Sequence, residues 1–166
     1  MERWSIVITI ERVLWDDPRA VTLRARMDEE MHERYGSANA DEDPAVTAER
    51  DRALSVDPSS VICSVLAIDE SGEAVGHIAI RRLRDEVELK RLIVLSSARG
   101  KGAATKLLDE CEQIGREQGA ERLILQTGDR QPDAVALYEK TGWRAILVYE
   151  PYLATMPWSF CFDKAL

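Results

Sequence analysis

The feature that most constrains the fold is a change of periodicity near residue 100, where a strand-like segment leads through a basic glycine loop into a helix. Residues 86–95 are rich in long and β-branched apolar side chains, which is typical of a strand. The loop that follows holds Arg99, Gly100, Lys101 and Gly102. Beyond it, apolar residues recur at helical spacing, at Ala104, Leu107, Leu108, Cys111 and Ile114. This order predicts an α/β fold.

Strand-like segments also precede that loop in close succession. They cover 61–68, 74–82 and 86–95, and only short turns separate them. Short turns join antiparallel neighbours, so the three segments predict a meander. Further upstream the sequence predicts a weak strand over 5–9 and helices over 18–35 and 45–53, the first with Asp17 as its cap.

The second half of the chain alternates between strands and helices. After the helix that Gly119 ends, the sequence predicts a strand over 122–127 and a helix over 131–141. Two final strands are predicted over 143–149 and 158–162. A meander followed by such alternation predicts one domain over 1–166, an α/β fold with a mixed, mostly antiparallel sheet and helices on both faces.

Composition and charge argue against several functions. The chain has 22 Lys and Arg against 30 Asp and Glu, a net charge of −8, so nucleic acid and anionic membranes are poor candidate partners. No run of 18 apolar residues occurs and the N-terminus lacks a signal-peptide pattern, so we expect a cytoplasmic protein. Three widely spaced cysteines with two histidines predict reduced thiols and no metal site.

The glycine loop predicts a site for a phosphate or pyrophosphate group. Backbone N–H groups at the start of a helix are unpaired, and the helix dipole adds partial positive charge there. Two glycines allow close approach, and Arg99 and Lys101 add charge. The alternative interpretation is a tight turn without a ligand. The P-loop pattern is absent and the dinucleotide fingerprint lacks its third glycine, which disfavours a nucleotide-binding domain.

Two motifs resemble those of the GNAT superfamily of acetyl-CoA-dependent N-acetyltransferases. Residues 99–104, RGKGAA, resemble the acetyl-CoA signature R/Q-x-x-G-x-G/A, and residues 134–143, AVALYEKTGW, resemble the segment A-x-x-L-Y-x-x-x-G-F. The resemblance covers residues 60–166, and Trp143 departs from it by replacing the usual Phe. It implies a GNAT-like sheet that is splayed apart where the cofactor binds.

The same resemblance implies which residues hold acetyl-CoA. The pantetheine arm would pair with backbone near Leu92 and Val94, as an added strand does. The side-chain amide of Gln131 stands where the family often has Asn, seven residues before the tyrosine of the second motif. The pyrophosphate would bind the N–H groups of Arg99, Gly100, Lys101, Gly102, Ala103 and Ala104.

Catalytic roles are implied for Tyr138 and Glu88. Tyr138 would donate a hydrogen bond or a proton to the leaving thiolate; the alternative is a core tyrosine. Glu88 would accept the proton of the amine, directly or through water; the alternative is a solvent-facing carboxylate paired with Lys90 or Arg91. Arg91 is also a candidate for binding a substrate carboxylate. His77 is interpreted as a sheet histidine rather than a catalytic one.

These observations predict direct transfer of an acetyl group from acetyl-CoA to a primary amine, without a metal. A small-molecule amine is favoured over a protein amine as the partner. The alternative is a non-catalytic acyl-CoA-binding regulatory module. The identity of the acceptor, the acyl chain length and the formation of a homodimer stay open at this stage.

Overall fold

The fold is built on a seven-stranded sheet, which a computed structural model describes within residues 7–166. The spatial order of the strands is β1-β2-β3-β4-β5-β7-β6, and all neighbours are antiparallel except β4 and β5. The predicted mixed, mostly antiparallel sheet is therefore confirmed. The strands are β1 (Thr9–Val13), β2 (Val61–Ile68), β3 (Ala74–Leu83), β4 (Glu86–Val94), β5 (Arg122–Thr127), β6 (Arg144–Ile146) and β7 (Phe160–Ala165).

Five α-helices accompany the sheet in the described residues. Asp17 and Asp43 cap the first two, each accepting a hydrogen bond from the backbone N–H two residues later, with a proline in the first turn. No helix in this part of the chain has both the length and the apolar composition needed to cross a membrane. The helices are α1 (Pro18–Tyr35), α2 (Pro44–Leu54), α3 (Ala103–Glu117), α4 (Pro132–Lys140) and α5 (Tyr152–Thr155).

Helices cover both faces of the central strands. Successive side chains of a strand point to opposite faces, and in β2 they enter two different cores. Val65 packs in the core that contains Leu107 of α3, whereas its neighbour Leu66 packs with Ala20 and Leu23 of α1. Burial on both faces explains why residues 61–68 are apolar apart from Ser64 rather than alternating.

The sheet opens between β4 and β5. Residues 87–89 pair with 123–125, and beyond them no strand in the described part of the chain pairs with that side of β4. A β-bulge marks the point of divergence: the register between β3 and β4 shifts, and Arg91 has a positive φ of 61°. The opening that the resemblance implied is therefore present, next to the glycine loop.

The weak strand was predicted too early in the chain. β1 begins at Thr9 rather than ending there, and residues 5 and 6 of the predicted segment lie outside the described residues. β1 pairs along the outer edge of β2, with Thr9 opposite Ile68 and Val13 opposite Ser64. This long-range pairing selects the strand, since the segment itself alternates only weakly.

The last predicted strands are partly wrong. Of 143–149 only Arg144–Ile146 is a strand, and the final strand is Phe160–Ala165 rather than 158–162. Between them lies α5, which no sequence pattern predicted. Tyr152 of α5 is fully buried in a cluster with Ala53 of α2, whereas Leu147 is 91% exposed. Contact with α2 therefore accompanies a helix in a segment between the two predicted strands, to which the sequence patterns assigned no element.

Candidate active site

The glycine loop before α3 depends on backbone conformations that favour glycine. Gly100 and Gly102 have φ of 75° and 81°, in the left-handed region. A Cβ atom placed on either glycine would project into open space, with nothing within 4 Å. The two glycines therefore form the turn and also leave an uncovered surface at the start of the helix.

That surface carries unpaired hydrogen-bond donors. Within the described residues, none of the backbone N–H groups of residues 100–105 donates to an acceptor, and Gly102 supplies no capping side chain. The aspartate caps of α1 and α2 do satisfy such donors. Four of these residues, Gly100, Lys101, Gly102 and Thr105, are exposed, so their N–H groups are open to solvent. At the positive end of a 15-residue helix they can bind an anionic ligand in place of water.

The two basic side chains of the loop bind nearby carbonyl groups. Arg99 donates from Nε to the Val94 carbonyl oxygen at 3.0 Å, and its Nη2 lies 3.4 Å from Glu30 of α1. Lys101 donates from Nζ to the Ser97 carbonyl oxygen at 2.7 Å. Both charges thus stay beside the free N–H groups and add positive potential there.

The unpaired side of β4 presents backbone groups at alternate residues. The N–H group of Leu95 donates to the Val75 carbonyl oxygen of β3 at 2.8 Å. Since backbone groups of successive strand residues point to opposite sides, those of Val94 and Leu92 point away from β3, toward the opening. The two positions implied for pantetheine binding therefore lie at the opening, and the Val94 carbonyl is bonded to Arg99 in this structure.

Tyr138 lies in the core on the α3 side of the sheet. Its ring packs against Trp143 and Phe162, with ring centroids 5.8 Å and 5.7 Å away. No hydrogen bond joins its hydroxyl to another group within residues 7–166. Burial raises the pKa of Tyr138 well above its ordinary value, so the hydroxyl keeps its proton at neutral pH. It is therefore a free donor, as the role of an acid requires.

Glu88 lies on the opposite face of the sheet and is fully buried. One carboxylate oxygen accepts from Nε of Arg81 at 2.8 Å, and the other accepts from the Tyr149 hydroxyl at 2.7 Å. The alternative of a solvent-facing carboxylate paired with Lys90 or Arg91 is wrong, because Arg81 stands directly opposite Glu88 on β3. Nη2 of Arg81 also lies 2.8 Å from the first oxygen, so the oxygen that accepts from Tyr149 is the one with a further lone pair for a ligand.

Lys90 belongs to the same buried cluster, although the sequence suggested it only as a surface partner of Glu88. It is 7% exposed, and its Nζ donates to the hydroxyl of Tyr152 at 2.9 Å. Burial lowers the pKa of Lys90 to about 8. The charged residues Glu88 and Lys90, at alternate positions of an otherwise apolar strand, were the sequence feature that could have indicated this cluster. Their partners Tyr149 and Tyr152 are more than 60 residues away, and no sequence feature indicated those contacts.

The remaining candidates are placed as follows. His77 is fully buried in β3 and bonded on both ring nitrogens, so the interpretation as a sheet histidine is confirmed. Arg91 forms an ion pair with Asp28 of α1. Gln131 precedes α4, and its side chain makes no capping hydrogen bond. Within the described chain no three His, Cys, Asp or Glu side chains are grouped to hold a metal ion.

Comparison with known proteins gives the same family as the motifs. The sequence matches the family "Acetyltransferase (GNAT) family" over residues 21–143. It is 35% identical over 103 residues to the IAA acetyltransferase of Azospirillum brasilense, a match that covers 61% of this chain and 67% of that protein. Among the curated relatives it matches, the chain spans between 36% and 67% of their length.

Solved structures share the fold. A Klebsiella pneumoniae protein described as an acyl-CoA N-acyltransferase superposes with a TM-score of 0.74 at 26% identity, covering 96% of this chain and 98% of that one. A GNAT family acetyltransferase from Elizabethkingia anophelis, with acetyl-CoA bound, superposes with a TM-score of 0.64 at 19% identity, covering 96% and 98%. The family match over most of the chain, with both motifs in place, shows that this protein belongs to the GNAT acetyltransferase family.

Proposed function

We propose that this protein transfers the acetyl group of acetyl-CoA to a primary amine. The observation that carries the proposal is the row of six free backbone N–H groups at the start of α3, beside the opening between β4 and β5. This combination offers an anion site for the pyrophosphate and an unpaired strand for the pantetheine arm. A helix that only packs in a core does not need free N–H groups at its start, and a closed sheet has no unpaired strand edge.

Cofactor binding involves both sides of the opening. The free N–H groups from Gly100 to Ala104 bind the pyrophosphate, and the backbone of Leu92 and Val94 pairs with the pantetheine amides. The N–H group of Arg99, also expected to bind it, instead donates to the Ser96 carbonyl oxygen in this structure. Because the Val94 carbonyl accepts from Arg99 here, that side chain moves toward the phosphates when the cofactor binds. The Gln131 amide supplies a further contact at the start of α4.

The chemistry uses one group from each face of the sheet. The amine nitrogen attacks the thioester carbonyl carbon, and the carbon–sulfur bond breaks as the amide forms. Alkylamines are mostly protonated at pH 7, so Glu88 accepts a proton from the amine, directly or through a water. Tyr138 donates to the sulfur as negative charge develops on it. Tyr138 gives its hydroxyl proton to the sulfur and takes up the second proton, which the nitrogen loses as the amide forms. Coenzyme A therefore leaves as the thiol, Tyr138 is restored, and Glu88 releases the first proton to water.

A small amine is the favoured acceptor. Glu88 has no exposed surface, and the hydroxyl of Tyr149 donates a hydrogen bond to one of its carboxylate oxygens. Tyr152 and α5, packed on α2, cover the neighbouring Lys90. A carboxylate enclosed in this way admits a slender amine more easily than a folded protein surface or a chain terminus with bulky neighbours.

The test is a thiol-release assay with acetyl-CoA and a panel of small amines, amino acids and peptides. We expect release with at least one class of small amine, and a loss of about 100-fold in kcat for Glu88→Gln, typical of removing an acid–base group. Tight CoA binding without release across the panel supports the non-catalytic module instead. Absence of CoA binding at millimolar concentration overturns the proposal.

A further inference from the structure

The β-bulge of β4 holds one residue in an unfavourable backbone conformation. Arg91 has φ of 61°, a region that residues with side chains rarely adopt, and the register of β3 with β4 shifts at this point. Such conformations persist only where surrounding contacts fix them. The bulge lies where β4 leaves β5, so whatever fixes it also fixes the shape of the opening.

One buried side chain contacts the bulge directly. The Nδ1 atom of His77 lies 2.8 Å from the Arg91 carbonyl oxygen. A carbonyl oxygen only accepts, so Nδ1 carries the proton and donates. In a neutral ring Nε2 is then an acceptor, and two donors lie 3.3 Å from it: Nη1 of Arg24 and the hydroxyl of Ser64. The hydrogen-bonding groups around the ring thus agree on a single tautomer.

Further contacts hold the imidazole in place from the α1 side. The guanidinium of Arg24 lies 3.5 Å above the ring of Trp15 and donates to the Trp15 carbonyl oxygen at 2.6 Å. Trp15 also makes an edge contact with His77. Burial and the neighbouring cations Arg24 and Arg91 lower the pKa of His77 to about 4, so the ring is neutral at physiological pH.

The hydrogen bond to Arg91 has a consequence on the other side of β4. In a trans peptide the C=O and N–H groups point in opposite directions. With the Arg91 carbonyl held by His77 on β3, the N–H group of Leu92 points away from β3 and into the opening. Leu92 is one of the two residues whose backbone faces the opening.

We propose that His77 is a positioning residue that holds the Arg91–Leu92 peptide in this orientation and so shapes the groove for acetyl-CoA. The part of the proposal that concerns the cofactor rests on the proposed function; the hydrogen bond to the bulge does not. His77 touches neither the cofactor nor the acceptor, and acts through the backbone of β4.

Two substitutions separate the bond to the bulge from the rest of the imidazole. In His77→Asn the amide nitrogen takes the place of Nδ1 and keeps a donor for the Arg91 carbonyl. In His77→Gln the amide lies near the place of Nε2, so the contacts to Arg24 and Ser64 are kept while the donor to Arg91 is lost. We expect H77Q to raise the Kd for CoA and the KM for acetyl-CoA about tenfold, the effect of one lost hydrogen bond.

The effect should fall on cofactor binding rather than turnover. We expect kcat at saturating acetyl-CoA to stay within about twofold of the wild type in H77Q, and H77N to bind CoA within about threefold of the wild type. A residue that is only part of the core would give equal losses in both variants. Equal CoA affinity in H77Q and the wild type, measured by calorimetry, would overturn the proposal.

A second variant tests the bulge itself. Glycine takes a positive φ without the steric cost, so Arg91→Gly makes the bulge less dependent on His77. We expect H77Q to weaken CoA binding only about twofold when R91G is already present. A full tenfold loss in that background means that His77 acts elsewhere, and the assignment to the bulge is then wrong.

Nuclear magnetic resonance tests the hydrogen bond without any cofactor. The chain has two histidines, so the ring ¹⁵N signals of His77 are those that vanish in H77N. We expect a neutral ring with a protonated Nδ1 at pH 7; a protonated Nε2 with a bare Nδ1 contradicts the proposal. If the wild type shows the expected tautomer but binds no CoA, the proposed function fails while the hydrogen bond to the bulge stands.

Discussion

Glu88 and Lys90 are buried two residues apart on β4, and the protein compensates the two charges differently. Glu88 accepts from a guanidinium and a hydroxyl. Lys90 has one hydrogen bond in the described structure, to the neutral hydroxyl of Tyr152. A buried ammonium without a carboxylate directly bonded to it costs stability.

Lys90→Met is therefore expected to stabilise the protein at neutral pH. The pKa of Lys90 is about 8 in the folded chain and 10.5 ordinarily. Below pH 8 both states are protonated and the cost is constant; between pH 8 and 10.5 the folded state alone loses the proton, so wild-type stability rises with pH. We expect K90M to be about 1–2 kcal/mol more stable at pH 7, with the difference shrinking by pH 10. Urea unfolding at both pH values measures it; a less stable variant at pH 7 would contradict this account.

The substitution Tyr138→Phe distinguishes the two interpretations of Tyr138, a catalytic acid or a packing residue of the core. The substitution removes the free hydroxyl and keeps the ring against Trp143 and Phe162. We expect kcat to fall by about 10²-fold or more with the Kd for CoA nearly unchanged, since in the proposed role the hydroxyl acts on charge that develops only in the transition state. Steady-state kinetics and calorimetry give the two values. Unchanged turnover at saturating substrate would leave Tyr138 as a packing residue alone.

Among single residues, the sequence identified those that belong to a motif and missed those that meet them through the fold. Tyr138 and the loop glycines lie in segments that resemble the two family motifs, so the resemblance locates them in the chain. Arg81, the partner of Glu88, comes from the neighbouring strand, and its pairing depends on a register that the sequence does not specify.

At the scale of elements, the two ends of α3 offer a matched comparison. Gly102 precedes the helix with φ of 81°, and Gly119 follows it with φ of 72°. An added Cβ meets nothing within 4 Å at either position. The backbone cost of an alanine is therefore similar at the two ends, while only Gly102 lies among the free N–H groups.

We expect Gly102→Ala and Gly119→Ala to lose similar stability, about 1 kcal/mol each, because both force a side chain into the left-handed region. Only G102A should weaken CoA binding, about tenfold or more, since it disturbs the N–H groups that we propose as the pyrophosphate site. Calorimetric titration of both variants with CoA checks this. Equal affinities in the two variants would place the pyrophosphate elsewhere.

Elements whose signals are local were predicted well. The strands 61–68 and 122–127 have the predicted bounds, and the Asp17–Pro18 pair located the start of α1. Apolar runs and helix caps depend on residues that are adjacent in the sequence, so they can be recognised without knowledge of the fold. The region after β6 was not predicted well, because α5 packs against α2, which lies almost 100 residues earlier in the chain.

At the scale of the molecule, the sheet consists of two parts with a narrow junction. β1 to β4 form a continuous antiparallel part, and β5 to β7 form another; between them only residues 87–89 and 123–125 pair. Helix α3 packs across the junction, with Leu107 and Leu108 in the same core as Leu89 and Leu125. Gly115 allows close approach here, since a Cβ atom would lie 2.9 Å from the Leu123 side chain.

A ligand that fills the opening adds contacts to both parts and should stabilise the whole fold. At a CoA concentration of about 100 times Kd, binding contributes about 2.7 kcal/mol. For a chain of this size that corresponds to a rise in Tm of about 5–10 °C. G102A, with affinity reduced about tenfold, should give about half the rise at the same concentration, because the contribution depends on the logarithm of the concentration relative to Kd.

Adenosine diphosphate, which has the pyrophosphate but no pantetheine arm to pair with β4, should give a smaller rise than CoA in the wild type. Differential scanning calorimetry with the two ligands measures these shifts, and equal rises for CoA and the diphosphate would show that the open side of β4 takes no part in binding.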